Sequence, residues 1–328
     1  MARNKQDIGR TAVAVATAVV ALGAMVGSNF LKDPLDGPRP ITWASGKTIF
    51  SNRAEAVNVG HDIATYAEVQ GGYVLADPQG QVWLWKSGEA TDVGTLSAGT
   101  LQADGHYAAW VENSGAGAQR LNTLAVLNST SGQVRRFNAE IAPAQGQAQP
   151  RSAAVLAMDG SRLYAADDRG LITIDLPSGT TRVHKSPTTG GDTYVLGVHA
   201  GKMLVNVDGQ AYLTDDLTKP GAPLPLTTGE LSPDAAHIVF TDPRQRVSVY
   251  DVATRKTTYP KIATGPKYTD LRWWLSKDTY TVLGLVGDPN TDLPHSYLQY
   301  EICTLDGTCE HGPKVKLSQG LRLSGRHP

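Results

Sequence analysis

Two stretches far apart in the chain follow one order of residue types. LYAADDRGLITIDLPSGTTR (163–182) and IVFTDPRQRVSVYDVATRKTT (238–258) each run through a short apolar stretch, an acid-centred turn, an alternating stretch, an Asp and a small polar turn. LYAADDRG aligns with IVFTDPRQ and ITIDLPSG with VSVYDVAT, with one extra residue between the halves of the second copy. A tight turn precedes each copy, MDGS in one and SPDAA in the other. The same order recurs around Gly72, Asp77 and Gly88, around Gly105, Glu112 and Gly132, around Gly201 and Asp208, and around Asp278, Asp288 and Gly307. The first-turn positions 72, 105, 160, 201, 234 and 278 are 33, 55, 41, 33 and 44 residues apart.

A repeat of roughly 40 residues made of four short alternating runs is the sequence pattern of a β-propeller blade. Side chains on a strand alternate between faces, so runs such as VWLW and ITID bury one face against a neighbouring blade. Composition agrees: 34 Gly and 19 Pro, against four Met and four Phe, call for many turns and little helix. The expected architecture is therefore all-β, a propeller with six visible blades over residues 41–317. ITWASGKTIF and AEAVNVG either close the ring as a strand pair or form a seventh blade, and residues 318–328 are left as a C-terminal tail. Closure removes the edge strands that invite aggregation.

The N-terminus is a separate object. Arg3, Lys5 and Arg10 are followed by residues 11–31, which carry no charge. About 20 apolar residues suffice to cross a bilayer as a helix. The basic flank predicts the N-terminus inside and everything after Lys32 outside the cytoplasm. A cleaved signal peptide is the rival reading, because small residues near Gly27 and Ser28 suit a peptidase. The first reading makes the protein single-pass and membrane-bound, the second secreted. Residues 32–40, KDPLDGPRP, form a Pro/Gly linker.

The acids in the turns between second and third strands are Asp77, Glu112, Asp167, Asp208, Asp242 and Asp288. Asp accepts local backbone N–H groups and tolerates turn dihedrals, and a residue repeated in every blade has a structural explanation. The same acids would also make a negative rim around the channel mouth, able to attract a basic peptide or a cation. No cofactor is expected; Ca2+ is the ion such a rim would take, and it requires several oxygens to converge. Trp273 and Trp274 in LRWWLSKD point to opposite faces of one strand. One ring is expected to pack between blades; the other, if the strand is innermost, would offer an aromatic to a ligand in the channel, and the alternative is core packing for both. Trp83 and Trp85 alternate onto one face and read as core. Cys303 and Cys309 are the two cysteines of the chain and flank TLDGT, whose Asp-Gly marks a hairpin tip. In an exported chain this reads as a disulfide.

No stretch matches G-x-S-x-G, H-E-x-x-H, a P-loop or a dinucleotide fingerprint, and no catalytic residue is assigned. The net charge of −1, with acids and bases mixed, shows no basic stripe for nucleic acid.

LSPDAAHIVFTD (231–242) and VYDVATRK around Asp251 are similar to the SPDG-x-x-I-x-F and D-x-x-T-G-K elements of bacterial WD40-like and TolB-type propellers. ITIDLPSGTTR, with Asp175, is a looser copy. Ala235 and Arg255 stand where that pattern has glycine, and no blade carries the Gly-His or Trp-Asp pairs of WD40 repeats. The resemblance extends over most of residues 66–316 and implies a rigid platform for proteins or peptides, with no catalytic residues to carry over. The expected function is a binding scaffold at the cell envelope, with an envelope protein or peptide as partner. The alternative is a propeller enzyme, a metal-assisted hydrolase or lactonase at the channel mouth. A small-molecule sensor with an apolar channel is a third.

Overall fold

The computed structural model describes residues 39–114, 121–138, 153–167, 170–184, 193–216, 219, 221–262, 267–287, 295–317 and 321–324. The N-terminal segment 1–31 and Asp288 lie outside the described residues. Among the described residues no helix is long and apolar enough to cross a membrane.

Among the described residues the strands form seven antiparallel sheets, six with four strands and one with three. The chain is therefore a seven-bladed propeller rather than a six-bladed one. Blades 2 to 7 occupy residues 65–95, 98–138, 154–184, 193–214, 230–258 and 267–316, each a meander of consecutive strands, and correspond to the six units seen in the repeat. Blade 1 is the one the repeat obscures. Its outer three strands are Thr42–Ser45, Thr48–Ser51 and Val57–Asn58, and its first strand is Leu321–Leu323, from the other end of the chain. Leu321 to Leu323 pair antiparallel with Ser45 to Trp43, so a segment read as tail is the strand that closes the ring. Three residues are too few for an alternating pattern to stand out, which is why the sequence alone leaves the blade count open.

Alternation does the rest. Among the described residues seven apolar clusters stand between seven pairs of neighbouring blades, one cluster per pair. Each strand sends odd and even side chains to different clusters. Val239 packs against blade 7 beside Val247 and Trp274, whereas Ile238 and Phe240 pack against blade 5 beside Leu204. Trp83 and Trp85 both join the cluster between blades 1 and 2.

The first strand of each blade lies innermost. Because every sheet is a meander, the turns between strands one and two and between three and four share one side, called here the lower face. Turns two–three and the connections between blades share the upper face. The lower turns also bond from blade to blade. Gln70 N–H donates to the carbonyl of Gly105 at 2.9 Å, Gly160 N–H to the Asp104 carboxylate, and Gly201 N–H to the Asp159 carboxylate at 3.0 Å. The repeated Asp-Gly of these turns thus links blade to blade.

Candidate functional site

The upper face carries the acidic turns. Asp77 and Asp242 adopt one geometry: Oδ1 accepts the backbone N–H two and four residues on, all at 2.9 Å. Each side chain replaces the main-chain partners that a tight turn leaves open. Asp242 holds more. Its Oδ2 accepts Nε and Nη2 of Arg246 at 2.9 and 2.7 Å, and the same guanidinium lies 4.2 Å from the ring centre of Tyr259. Desolvation raises the Asp242 pKa, but the Arg246 N–H and guanidinium and the Arg244 N–H outweigh it, so the carboxyl titrates below the usual range. Asp77 accepts Nε1 of Trp83 at 3.4 Å, and the His61 ring stacks on that indole with centroids 3.9 Å apart. Asp208 occupies the equivalent turn of blade 5, exposed and at a positive φ of 52°. Asp167 ends the strand Arg162–Asp167 before the corresponding turn of blade 4.

Glu112 differs from the turn position expected for it. It lies within the strand Tyr107–Ser114, because that strand runs on past it. The carboxylate is buried between blades 2 and 3 and accepts Nε and Nη2 of Arg136 at 2.7 and 3.2 Å. Gly94 suits the place beside it: its φ is 147°, a conformation L side chains rarely adopt, and a Cβ there would fall 2.1 Å from Oε1 of Glu112, which would have to move.

Trp273 and Trp274 end the strand Lys267–Trp274, which is the innermost strand of blade 7. Both rings are core, on opposite sides of the blade. Trp273, 6% exposed, meets Tyr300 edge-on at 5.6 Å in the cluster shared with blade 1. Trp274, 0% exposed, donates Nε1–H to the Glu230 carbonyl at 3.0 Å in the cluster shared with blade 6. Of the two readings of the pair, core packing for both is the one the geometry matches, with adjacent residues serving two blade interfaces.

Among the residues whose burial is described, the exposed aromatic of the innermost strands is Tyr194. It is the second residue of the strand Thr193–His199 and stands at the upper end of that strand, 47% exposed. Beside it the chain entering blade 6 is held from both sides. Asn206 Nδ2 of blade 5 donates to the Thr227 carbonyl at 2.6 Å, and Arg272 Nη2 of blade 7 donates to Thr228 Oγ1 at 2.9 Å. Arg272, buried, also donates to the Val239 carbonyl at 3.1 Å and to Thr241 Oγ1 at 3.0 Å. Outward, on the flank of blade 6, Tyr259 is 51% exposed beneath Arg246. Blades 5 and 6 therefore carry two exposed tyrosines and the Asp242–Arg246 pair on a firmly bonded frame.

Cys303 and Cys309 are directly opposed across the last hairpin, with Cα atoms 4.1 Å apart, and are disulfide-bonded as the spacing predicts. Among the described residues no group of three or more His, Cys, Asp or Glu is placed to hold a metal ion.

No family model matches the sequence, and no curated protein does. Solved structures do match. A structure of the Mitotic Checkpoint Complex aligns at 11% identity over 90% of this chain and 90% of that chain, with a TM-score of 0.51. U3-55K aligns at 12% identity over 88% and 90%, with a TM-score of 0.50. TolB from Acinetobacter baumannii, a propeller of the type the repeats resemble, aligns at 12% identity over 96% and 71%, with a TM-score of 0.38. At such identities the likeness is one of fold: the chain is a β-propeller, and its function must be argued from its own surface.

Proposed function

We propose that the protein is an extracytoplasmic binding scaffold of the cell envelope, held at the membrane by its N-terminal segment, and that its upper face across blades 5 and 6 receives a protein or peptide. The observation that carries this reading is the pairing of exposed tyrosines with a fixed charge pair. Tyr194 and Tyr259 offer apolar rings with a polar end, the side-chain type that anchors protein interfaces, and few such residues supply most of an interface's energy. Two backbone N–H groups of the turn hold Asp242, and two guanidinium hydrogen bonds hold Arg246 to it, so a partner meets charges already in position. The disulfide suits an oxidising compartment, and the uncharged run 11–31 with its basic flank supplies a membrane segment.

The test is affinity purification of the tagged full chain from cross-linked native membranes, with the Tyr194→Ala/Tyr259→Ala variant alongside. A partner recovered in stoichiometric amount with the wild type and depleted with the variant is expected. Equal recovery with both would place the interface elsewhere.

A further inference from the structure

The two outer strands of blade 6 and the turns around them, residues 242–262, carry Arg244, Arg246, Arg255, Lys256 and Lys261 against Asp242 and Asp251. Five bases against two acids give this segment a net charge of +3 in a chain whose total is −1, so the rest of the protein sums to −4. Arg246 is spent on Asp242, and its guanidinium lies over Tyr259. Asp251 is engaged as well: Oδ1 accepts Thr254 N–H at 2.7 Å, and Oδ2 lies 3.7 Å from His237 Nε2. The other four cations, Arg244, Arg255, Lys256 and Lys261, are exposed. Among the described residues their charged ends have no ion-pair, hydrogen-bond or aromatic partner. Blade 7 brings one acid beside them, Asp306, in the hairpin tip whose Gly307 carbonyl accepts Lys261 N–H at 2.9 Å. Its Oδ1 is already taken by Thr304 Oγ1 at 2.5 Å and Thr308 N–H at 2.8 Å. With Asp306 counted, the flank keeps two positive charges.

These cations are strung along one edge. Arg244 stands in the turn that leads into the strand Val247–Asp251, and Arg255 and Lys256 follow the turn that leaves it, with Lys256 facing Asp251 across the pair. At a rise of about 3.3 Å per residue, that strand sets the two ends roughly 17 Å apart. The outermost strand, Lys256–Thr258, has a neighbouring strand on its inner side only, among the described residues. Such an edge presents main-chain N–H and C=O groups to any strand that approaches. Lysine and arginine on it repel a second copy of the same edge and attract a chain of opposite charge. Tyr259, 51% exposed, directly follows this strand and adds a ring to the edge. A line of cations beside an open strand edge and an exposed ring fits an extended acidic peptide better than a flat bilayer, which would ask for cations spread over a plane.

We propose that the partner received by blades 5 and 6 presents an extended acidic segment, and that this segment lies along the outer edge of blade 6 against Arg244, Arg255, Lys256 and Lys261. The proposal rests on the scaffold reading above and names the partner's chemistry. The experiment is fluorescence anisotropy of a labelled peptide of alternating Glu and Thr, and of its Gln/Thr counterpart, titrated with the detergent-solubilised full chain. Wild type should bind the Glu/Thr peptide about ten-fold more tightly, and the preference should shrink in about 0.5 M sodium chloride. Each of Arg244→Gln and Lys256→Gln should weaken the Glu/Thr peptide by about two- to five-fold, the range for one exposed ion pair. Lys47→Gln, at an exposed cation of blade 1, is the control and should change nothing. Equal affinity for the two peptides, or indifference to the blade 6 substitutions, would overturn the proposal. Phosphatidylglycerol vesicles bound through the same residues, without preference for Glu over Gln peptide, would overturn the peptide assignment and give the edge to a membrane surface. The Arg244→Glu/Lys256→Glu variant, carried through the affinity purification above, separates this proposal from the reading it rests on. A partner kept by that variant but lost with Tyr194→Ala/Tyr259→Ala defeats the acidic segment alone, whereas no partner from the wild type defeats the scaffold reading.

Discussion

At the scale of single residues, two positions depart from the repeat in a way that physical chemistry can price. Ala235 and Arg255 stand where glycine is expected, and both adopt positive φ, 57° and 59°. An L-residue in that region costs about 1–2 kcal/mol, whereas glycine enters it freely but loses more backbone entropy on folding. Ala235 also contributes a buried methyl to the cluster between blades 5 and 6, so its replacement mixes effects. Arg255 is exposed, and Arg255→Gly should therefore stabilise the protein by about 0.5–1 kcal/mol in urea denaturation; a loss of stability would show that the turn is not strained. Asp242 makes a pH prediction. Its folded pKa is depressed, so its contribution to stability is complete above the ordinary Asp value of about 3.9 and is lost as the pH falls through the lower folded value. Asp242→Asn should be less stable than wild type by a constant margin from pH 7 to pH 5, and the margin should close in more acid solution. A margin that is unchanged at low pH would contradict the role given to its hydrogen bonds. These turn acids were readable because one local geometry repeats. Glu112 was misplaced because an acid inside a strand and one at its end look alike until the partner, here Arg136 on another strand, is known.

At the scale of elements, the blades were legible where four strands follow one another in sequence. Blade 1 was not, because its inner strand comes from Leu321–Leu323 and its outer strand has two residues, Val57 and Asn58. Pairing between the ends of a chain leaves no local trace. Blade 5 is irregular in another way: among the described residues it has three strands, and residues after Gly221 lie along the third, with Leu224 N–H donating to the Ala211 carbonyl at 2.9 Å. That segment shields the outer edge that would otherwise stand open. The last hairpin carries the disulfide. Cys303 is fully buried in the cluster between blades 6 and 7, so the bridge ties the hairpin tip to a blade interface. The closed loop is short, and replacing both cysteines by serine should cost about 2 kcal/mol from chain entropy. Thermal melts of wild type and the double serine variant, oxidised and reduced, measure it. Reduction should lower the melting temperature of the wild type alone; indifference to verified reduction would assign the bridge no structural part.

At the scale of the whole molecule, the ring separates two faces with different tasks in this account. The lower face gathers the turns that bond blade to blade, the disulfide tip, and the point where the chain joins the propeller. The upper face presents Tyr194 and the acidic turns, with Tyr259 on the flank beside them. The division into faces was implicit in the repeat, since turns alternate sides along any meander. Tyr194 was not, because its exposure depends on its strand being innermost and on its place at the upper end, neither of which TYVLGVH discloses. Trp273 and Trp274 drew attention as a pair for the opposite reason: their size is conspicuous in sequence, and size is what fills two blade interfaces. The most direct measurement is photo-cross-linking in living cells from a reactive amino acid placed at Tyr194, compared with one at Ser131 on the lower side of blade 3. One discrete cross-linked species is expected from position 194 and none from position 131. Cross-links from Ser131 alone, or none from either in a folded and exported protein, would contradict it.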